Sequence, residues 1–191
     1  MNLKTAGGSV KVAELIGKVQ ASSSGGGLNF AKIEGSLSGH TSGGSITVAG
    51  CKGNVDLRTS GGGLQLGEIE GDVDARTSGG SIHADKLTGK SVLQSSGGGI
   101  QVSAIKGQVE AGTSGGSITV ALGEKLNVDV DARTSGGRVA SDLPVTTVTH
   151  GGLKKNELRG KINGGGPLIT PIPAAAVSGW RRSSEINRPS D

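Results

Sequence analysis

Apolar residues recur along this chain on a fixed stride. Counting from the first residue of a glycine-rich hexapeptide, position six is always aliphatic: Val10, Leu28, Ile46, Leu64, Ile82, Ile100 and Ile118. Position eight carries Val12, Phe30, Val48, Leu66, Ala84, Val102 and Val120, and position eleven carries Leu15, Ile33, Cys51, Ile69, Leu87 and Ile105. Positions fifteen and seventeen add pairs such as Val55/Leu57, Val73/Ala75 and Val109/Ala111. Positions six and eight, then fifteen and seventeen, alternate with period two, which is the signature of strands. Apolar residues never recur at three-and-four spacing, and each interior glycine would cost a helix about 1 kcal/mol.

The hexapeptide punctuates these strands. It reads TSGGSI at Thr41–Ile46, Thr77–Ile82 and Thr113–Ile118, and SSGGGL, TSGGGL or SSGGGI in the copies between. Copies begin at Thr5, Ser23, Thr41, Thr59, Thr77, Ser95 and Thr113, every interval being 18; the next follow at Thr134, after 21, and at Ile162, after 28. A strict period of this length predicts an all-β fold, a single parallel β-helix or solenoid with 18-residue rungs, stabilised by neighbour on neighbour. Parallel crossovers favour a right-handed coil. Glycines at positions three, four and thirteen are expected at the corners, where positive φ costs glycine nothing. The hydroxyls of position one are expected to form a ladder.

Composition alone points elsewhere. Of 191 residues, 37 are glycine, and the only aromatics are Phe30 and Trp180. Such a chain would ordinarily stay disordered; the period overrules that. The net charge is +4, with acids and bases interspersed. The one basic cluster with an aromatic is Trp180-Arg181-Arg182, so no nucleic acid is expected as a partner. A single cysteine, Cys51, excludes an internal disulfide and, in an aliphatic column, reads as buried filler. No apolar run of about 20 residues is present. The start MNLKTAGGSVKV shows no signal peptide, which fits a cytosolic product or one that has lost an upstream leader.

The units TSGGSITV, IEGDVDARTSGGSI and LRGKINGGGPLI resemble a bacterial family of β-strand-repeat domains classed as adhesins of unknown function, related to autotransporter adhesin head domains. The match covers roughly residues 5–170. The resemblance implies a solenoid on an exported or cell-envelope protein, with no catalytic residues to carry over. It sets the solenoid domain at 1–170, with irregular rungs and a cap over 121–170. Where one more TSGGSI-type strand would follow, Ile172–Glu185 reads IPAAAVSGWRRSSE. The codons of that stretch, read one frame away, can spell Thr-Ser-Gly-Gly-Ser-Ile-Arg-Val. Residues 171–191 are therefore expected to be a frameshifted, disordered tail.

Several residue patterns within the repeat bear on chemistry. Asp56/Arg58, Asp74/Arg76 and Asp131/Arg133 recur as D-x-R and are expected to be outward surface ion pairs, with an acidic glycan as the ligand such a ladder would suit. Calcium-binding β-rolls need Asp in the turn, which is missing here. Asp72 and Asp74 have the spacing of a glycosidase pair but no cleft-forming loop beside them. His40, His83 and His150 occupy different columns and form no metal or triad set. Ice-binding faces need paired outward threonines, whereas position one offers a single hydroxyl per turn. The sequence thus predicts no catalytic residue, cofactor or metal. It predicts an interaction module binding a surface glycan or a protein, or a scaffold that self-associates through the solenoid ends, with a carbohydrate-active β-helix as the last alternative. Insertions in solenoids map to loops that often bind, which nominates Lys125, His150, Lys154, Lys155 and Arg159 as a ligand face.

Overall fold

The computed structural model describes residues 1–121, 128–141 and 157–162. The first strands are β1 (Asn2–Thr5), β2 (Val10–Ile16), β3 (Val19–Ser23), β4 (Leu28–Glu34), β5 (Leu37–Thr41) and β6 (Ile46–Lys52). Next come β7 (Val55–Thr59), β8 (Leu64–Glu70), β9 (Val73–Thr77), β10 (Ile82–Leu87), β11 (Ser91–Ser95) and β12 (Ile100–Ile105). The last are β13 (Val109–Thr113), β14 (Ile118–Val120), β15 (Val128–Thr134), β16 (Val139–Ser141) and β17 (Glu157–Ile162). Odd-numbered strands form a nine-stranded sheet and even-numbered strands an eight-stranded one, each in the order of the chain. The fold is the β-solenoid that the period predicts. Among the described residues there is no helix, and none long and apolar enough to cross a membrane.

Stacking is in register. Thr41 pairs with Thr59 and Thr59 with Thr77, and in the other sheet Ile46 pairs with Leu64 and Leu64 with Ile82. From β2 to β12 the pairing of the eight-stranded sheet is interrupted at position nine, skipping for example from Val48–Leu66 to Gly50–Glu68. The three-residue insertion before Thr134 is absorbed between strands, since Ala111 pairs with Ala132 and Thr113 with Thr134.

Positions six, eight, eleven, fifteen and seventeen supply the core, with Ile46, Val48, Leu57, Leu64 and Ile69 almost wholly buried. Fully burying a side chain of this kind stabilises by about 1.5–3 kcal/mol, and here each also roofs the rung below. Volume is balanced across rungs. Phe30, the largest core side chain, lies beside Gly39, where an added Cβ would stand 2.9 Å from Leu57 Cδ2 and 3.6 Å from Phe30 Cε2. Cys51 is buried as expected.

Three expectations change. Positive φ belongs to position thirteen, at Gly17, Gly35, Gly53 and Gly71, and not to the glycine pair of the hexapeptide. Position four demands glycine because its Cβ would fall 2.0–2.3 Å from a carbonyl oxygen one rung below, as Gly44 would against Gly26. Position one points inward: Thr41, Thr59, Thr77 and Thr113 are buried. Their hydroxyls do not form a ladder with one another. Thr59 Oγ1 donates to Gly44 O at 2.8 Å and accepts from Gly62 N at 3.3 Å, and Thr77 Oγ1 then donates to Gly62 O at 2.8 Å. The vertical chain alternates hydroxyl and glycine peptide.

The third change is the direction of the last strand. Coil continuation predicts β17 parallel to β15, but the two run antiparallel, Val128 facing Ile162 and Ala132 facing Leu158. The 28-residue interval is longer than a coil, so the chain is not held to a parallel crossover. Reversal still sets Leu158 and Ile162 opposite the positions of β15 that alternate with its charged ones.

Candidate functional site

The outward positions of the nine-stranded sheet carry most of the polar chemistry. Period-two alternation sends positions sixteen and eighteen to solvent while fifteen and seventeen enter the core. Along the rod, position eighteen reads His40, Arg58, Arg76, Gln94, Gly112 and Arg133. Position sixteen reads Ser38, Asp56, Asp74, Val92, Glu110 and Asp131.

Ion pairs form within strands on this face. Arg58 Nε and Nη2 donate to the two carboxylate oxygens of Asp56 at 3.1 and 3.3 Å. Arg76 Nη2 lies 2.8 Å from Asp74 Oδ2, and Arg133 Nε 3.1 Å from Asp131 Oδ1. The first two pairs are partly exposed, as the sequence predicts. The third is not: Asp131 and Arg133 are only 3% and 7% accessible. They belong to β15, the strand that β17 covers on its outer edge.

The eight-stranded sheet arranges its charges differently, across rungs. Lys32 Nζ reaches Glu14 one rung below at 2.8 Å, Lys52 reaches Glu70 at 3.7 Å, and Lys86 is bonded to Glu68. Hydrogen bonds from the lysines hold the Glu14 and Glu68 carboxyls below their ordinary values, and raise Lys32 and Lys86 in return. These side chains are 45–66% exposed, and such pairs contribute little to stability.

On the nine-stranded face the D-x-R motif lapses for two rungs, at Val92-Leu93-Gln94 and Glu110-Ala111-Gly112. A Cβ added at Gly112 would meet no atom within 4 Å. The lapse leaves a notch between Arg76 and Arg133, three rung spacings or roughly 14 Å apart. It lies within an open groove of about 520 Å³ that follows the rod axis. One wall is the position-eighteen column. The other is the exposed serine of each corner, Ser60, Ser78, Ser96 and Ser114.

A second cavity of about 410 Å³ lies over the acidic column. Its carboxylates are engaged: Asp72 Oδ1 accepts the Lys90 N–H at 2.9 Å, and Asp56 and Asp74 hold Arg58 and Arg76. Among the described residues no three His, Cys, Asp or Glu side chains are grouped to hold a metal ion. Cys51 is buried, its Sγ 3.4 Å from Gly35 O on the rung below, and burial pushes its thiol up to about 11.

Of the nominated ligand face, Lys125, His150, Lys154 and Lys155 lie outside the described residues, as do Trp180 and the tail over 171–191. Arg159 belongs to β17, in register with Asp131 at the end of the groove. His40 lines the groove, and His83 is exposed on the opposite sheet. The groove is not evident from the repeat pattern, although its signal is present in the two adjacent rungs between Arg76 and Arg133 where D-x-R lapses. Compared with family models, with curated proteins and with solved structures, the chain matches none.

Proposed function

We propose that this protein is a non-catalytic interaction module, an adhesin-like rod that binds through the outer face of its nine-stranded sheet. The observation that carries this reading is the axial groove, whose rims are outward positions, the position-eighteen column and the corner serines, that the core does not require. A coil of identical turns needs no particular residue at positions sixteen and eighteen, yet these hold paired charges on three rungs and a notch between them. A bacterial envelope location, which the family resemblance implies, would suit a rod that presents one face to a large ligand.

The test is to immobilise the full chain and screen it against surface glycans and proteins, then recover the ligand. Saturable binding with ligand length unchanged is expected. Release of new reducing ends over time would instead favour a carbohydrate-active β-helix.

Self-association is the second reading. On the edge strand β2, Ile16 is 81% exposed and Val10 and Leu15 are incompletely covered, so a partner edge would find apolar surface there. Light scattering that grows with protein concentration would support it over a monomeric module.

A further inference from the structure

We propose that the notch between the Asp74–Arg76 and Asp131–Arg133 pairs seats a neutral polyhydroxyl chain, an uncharged polysaccharide running along the rod axis. This rests on the interaction-module reading and names its ligand class.

Charge decides the class. Along the accessible stretch the guanidinium groups of Arg58 and Arg76 stand beside the carboxylates of Asp56, Asp74 and Glu110, two positive groups against three negative, while the buried Asp131–Arg133 pair closes the far end. Each arginine has its aspartate within 2.8–3.1 Å in the same strand. A polyanion would meet a carboxylate wherever it met a guanidinium, and like charges in contact are penalised. A polycation would meet the arginines in the same way. Hydroxyl groups suit both, accepting from guanidinium N–H and donating to carboxylate oxygen. The charged ladder offers donors and acceptors while its own pairing cancels its field.

Shape agrees. The groove's volume lies within the range of small-ligand sites, but it is open and elongated, so a chain fits better than a compact molecule. Serine hydroxyls recur along one wall at each rung, about 4.8 Å apart, and Gln94 adds an amide donor and acceptor on the notch floor. A folded protein is the poorer occupant. Its interface would want apolar or aromatic anchors at the centre, and the one aromatic among the described residues, Phe30, is buried in the core. Without stacking, each sugar unit binds weakly and affinity must accumulate over several units.

The decisive variant is Gly112→Arg. The site has open space around a Cβ, and arginine is what the same column carries at Arg58, Arg76 and Arg133. The coil should tolerate it while the notch fills. Gln94→Ala, which removes an outward amide without adding bulk, is the second variant. Both are titrated as full chains with a graded series of linear neutral gluco-oligosaccharides, and with oligogalacturonates as the charged comparison.

For the parent chain, affinity should rise with oligomer length to a plateau, change little with salt, and favour the neutral series. Gly112→Arg should weaken the longest neutral oligomer about ten-fold, the loss of one or two good hydrogen bonds, with an unchanged thermal midpoint. Gln94→Ala should weaken it less. Tighter, strongly salt-dependent binding of oligogalacturonate would overturn the proposal. So would binding of neutral oligomers that both variants leave intact, or failure of every oligomer to bind; a module that still captured some other partner in the screen would keep the broader reading. Shortened oligomers would sink both.

Discussion

Two glycines that sit side by side in every hexapeptide answer to different constraints. An added Cβ at Gly43 would lie at an ordinary 3.5 Å from Gly25 O, whereas one at Gly44 would lie 2.3 Å from Gly26 O. Backbone stacked directly on backbone leaves no room for a side chain at position four. Position thirteen is glycine for another reason as well, being left-handed at Gly53, with φ of 140°. The sequence shows that all three columns are glycine but not why, since close approach and dihedral preference write the same letter. Cys51 is a residue-scale case with a measurable consequence. Its thiol is raised from an ordinary 9.0 to about 11 because burial disfavours the thiolate. Above the ordinary value the unfolded chain loses this proton and the folded chain keeps it. The contribution is therefore complete below pH 9.0 and declines as pH climbs towards 11. The unfolding midpoint of the parent should fall more steeply over that window than that of Cys51→Ala, and parallel curves would refute the shift. A thiol reagent near neutral pH should label Cys51 only after unfolding.

At the scale of the element, the corner is held by a hydrogen-bonded chain that the alternation of apolar residues does not reveal. Each position-one hydroxyl joins the glycine peptide below to the glycine peptide of its own turn, as Thr41, Thr59, Thr77 and Thr113 all do. This explains why the column holds Thr or Ser in all eight copies from Thr5 to Thr134. Thr59→Val keeps the shape but leaves Gly44 O and Gly62 N–H without their partner in a part-buried corner, which should cost about 1–3 kcal/mol in denaturant unfolding. Thr59→Ser should cost under half as much; equal losses would show that the methyl, not the hydroxyl, matters. The alternation of Ser and Gly at position five has a related origin. Gly63 N donates to Ser45 Oγ one rung below at 3.2 Å, and Arg138 N to Ser117 Oγ at 3.2 Å. A Cβ on Gly27, Gly63 or Gly99 would press to 3.0–3.1 Å from the carbonyl of the next serine. A two-rung period thus resides in side-chain contacts that a single-rung template cannot anticipate.

For the whole molecule, strands touch the strands immediately above and below them in each sheet, so the rod behaves as a one-dimensional stack. The regular rungs were legible in the sequence because every one repeats the same inward positions. The last turns were not, because the strand after a 28-residue interval fits antiparallel pairing as well as parallel, and nothing in ELRGKI distinguishes them. The same logic yields a sharp test of register. Excising Asn54–Gly71 removes 18 residues and should leave a shorter, folded solenoid, since Gly53 then leads into Asp72 as it led into Asn54. Excising Asn54–Glu70 removes one fewer and sends the next strand's inward side chains outward. Far-ultraviolet dichroism should show strand for the first and loss of cooperative unfolding for the second; similar spectra and midpoints would contradict in-register stacking.

The reversed β17 gives the nine-stranded sheet two unlike termini. At β1 the exposed edge has the even, slanted bonding of a parallel ladder, while beyond β15 the spacing switches to the alternating close and wide pairs of antiparallel strands. A second rod arriving head-to-tail could not carry the winding forward through β17, because that strand already travels against it. Growth of this sheet by copying itself, turn after turn, is halted by a single change of heading.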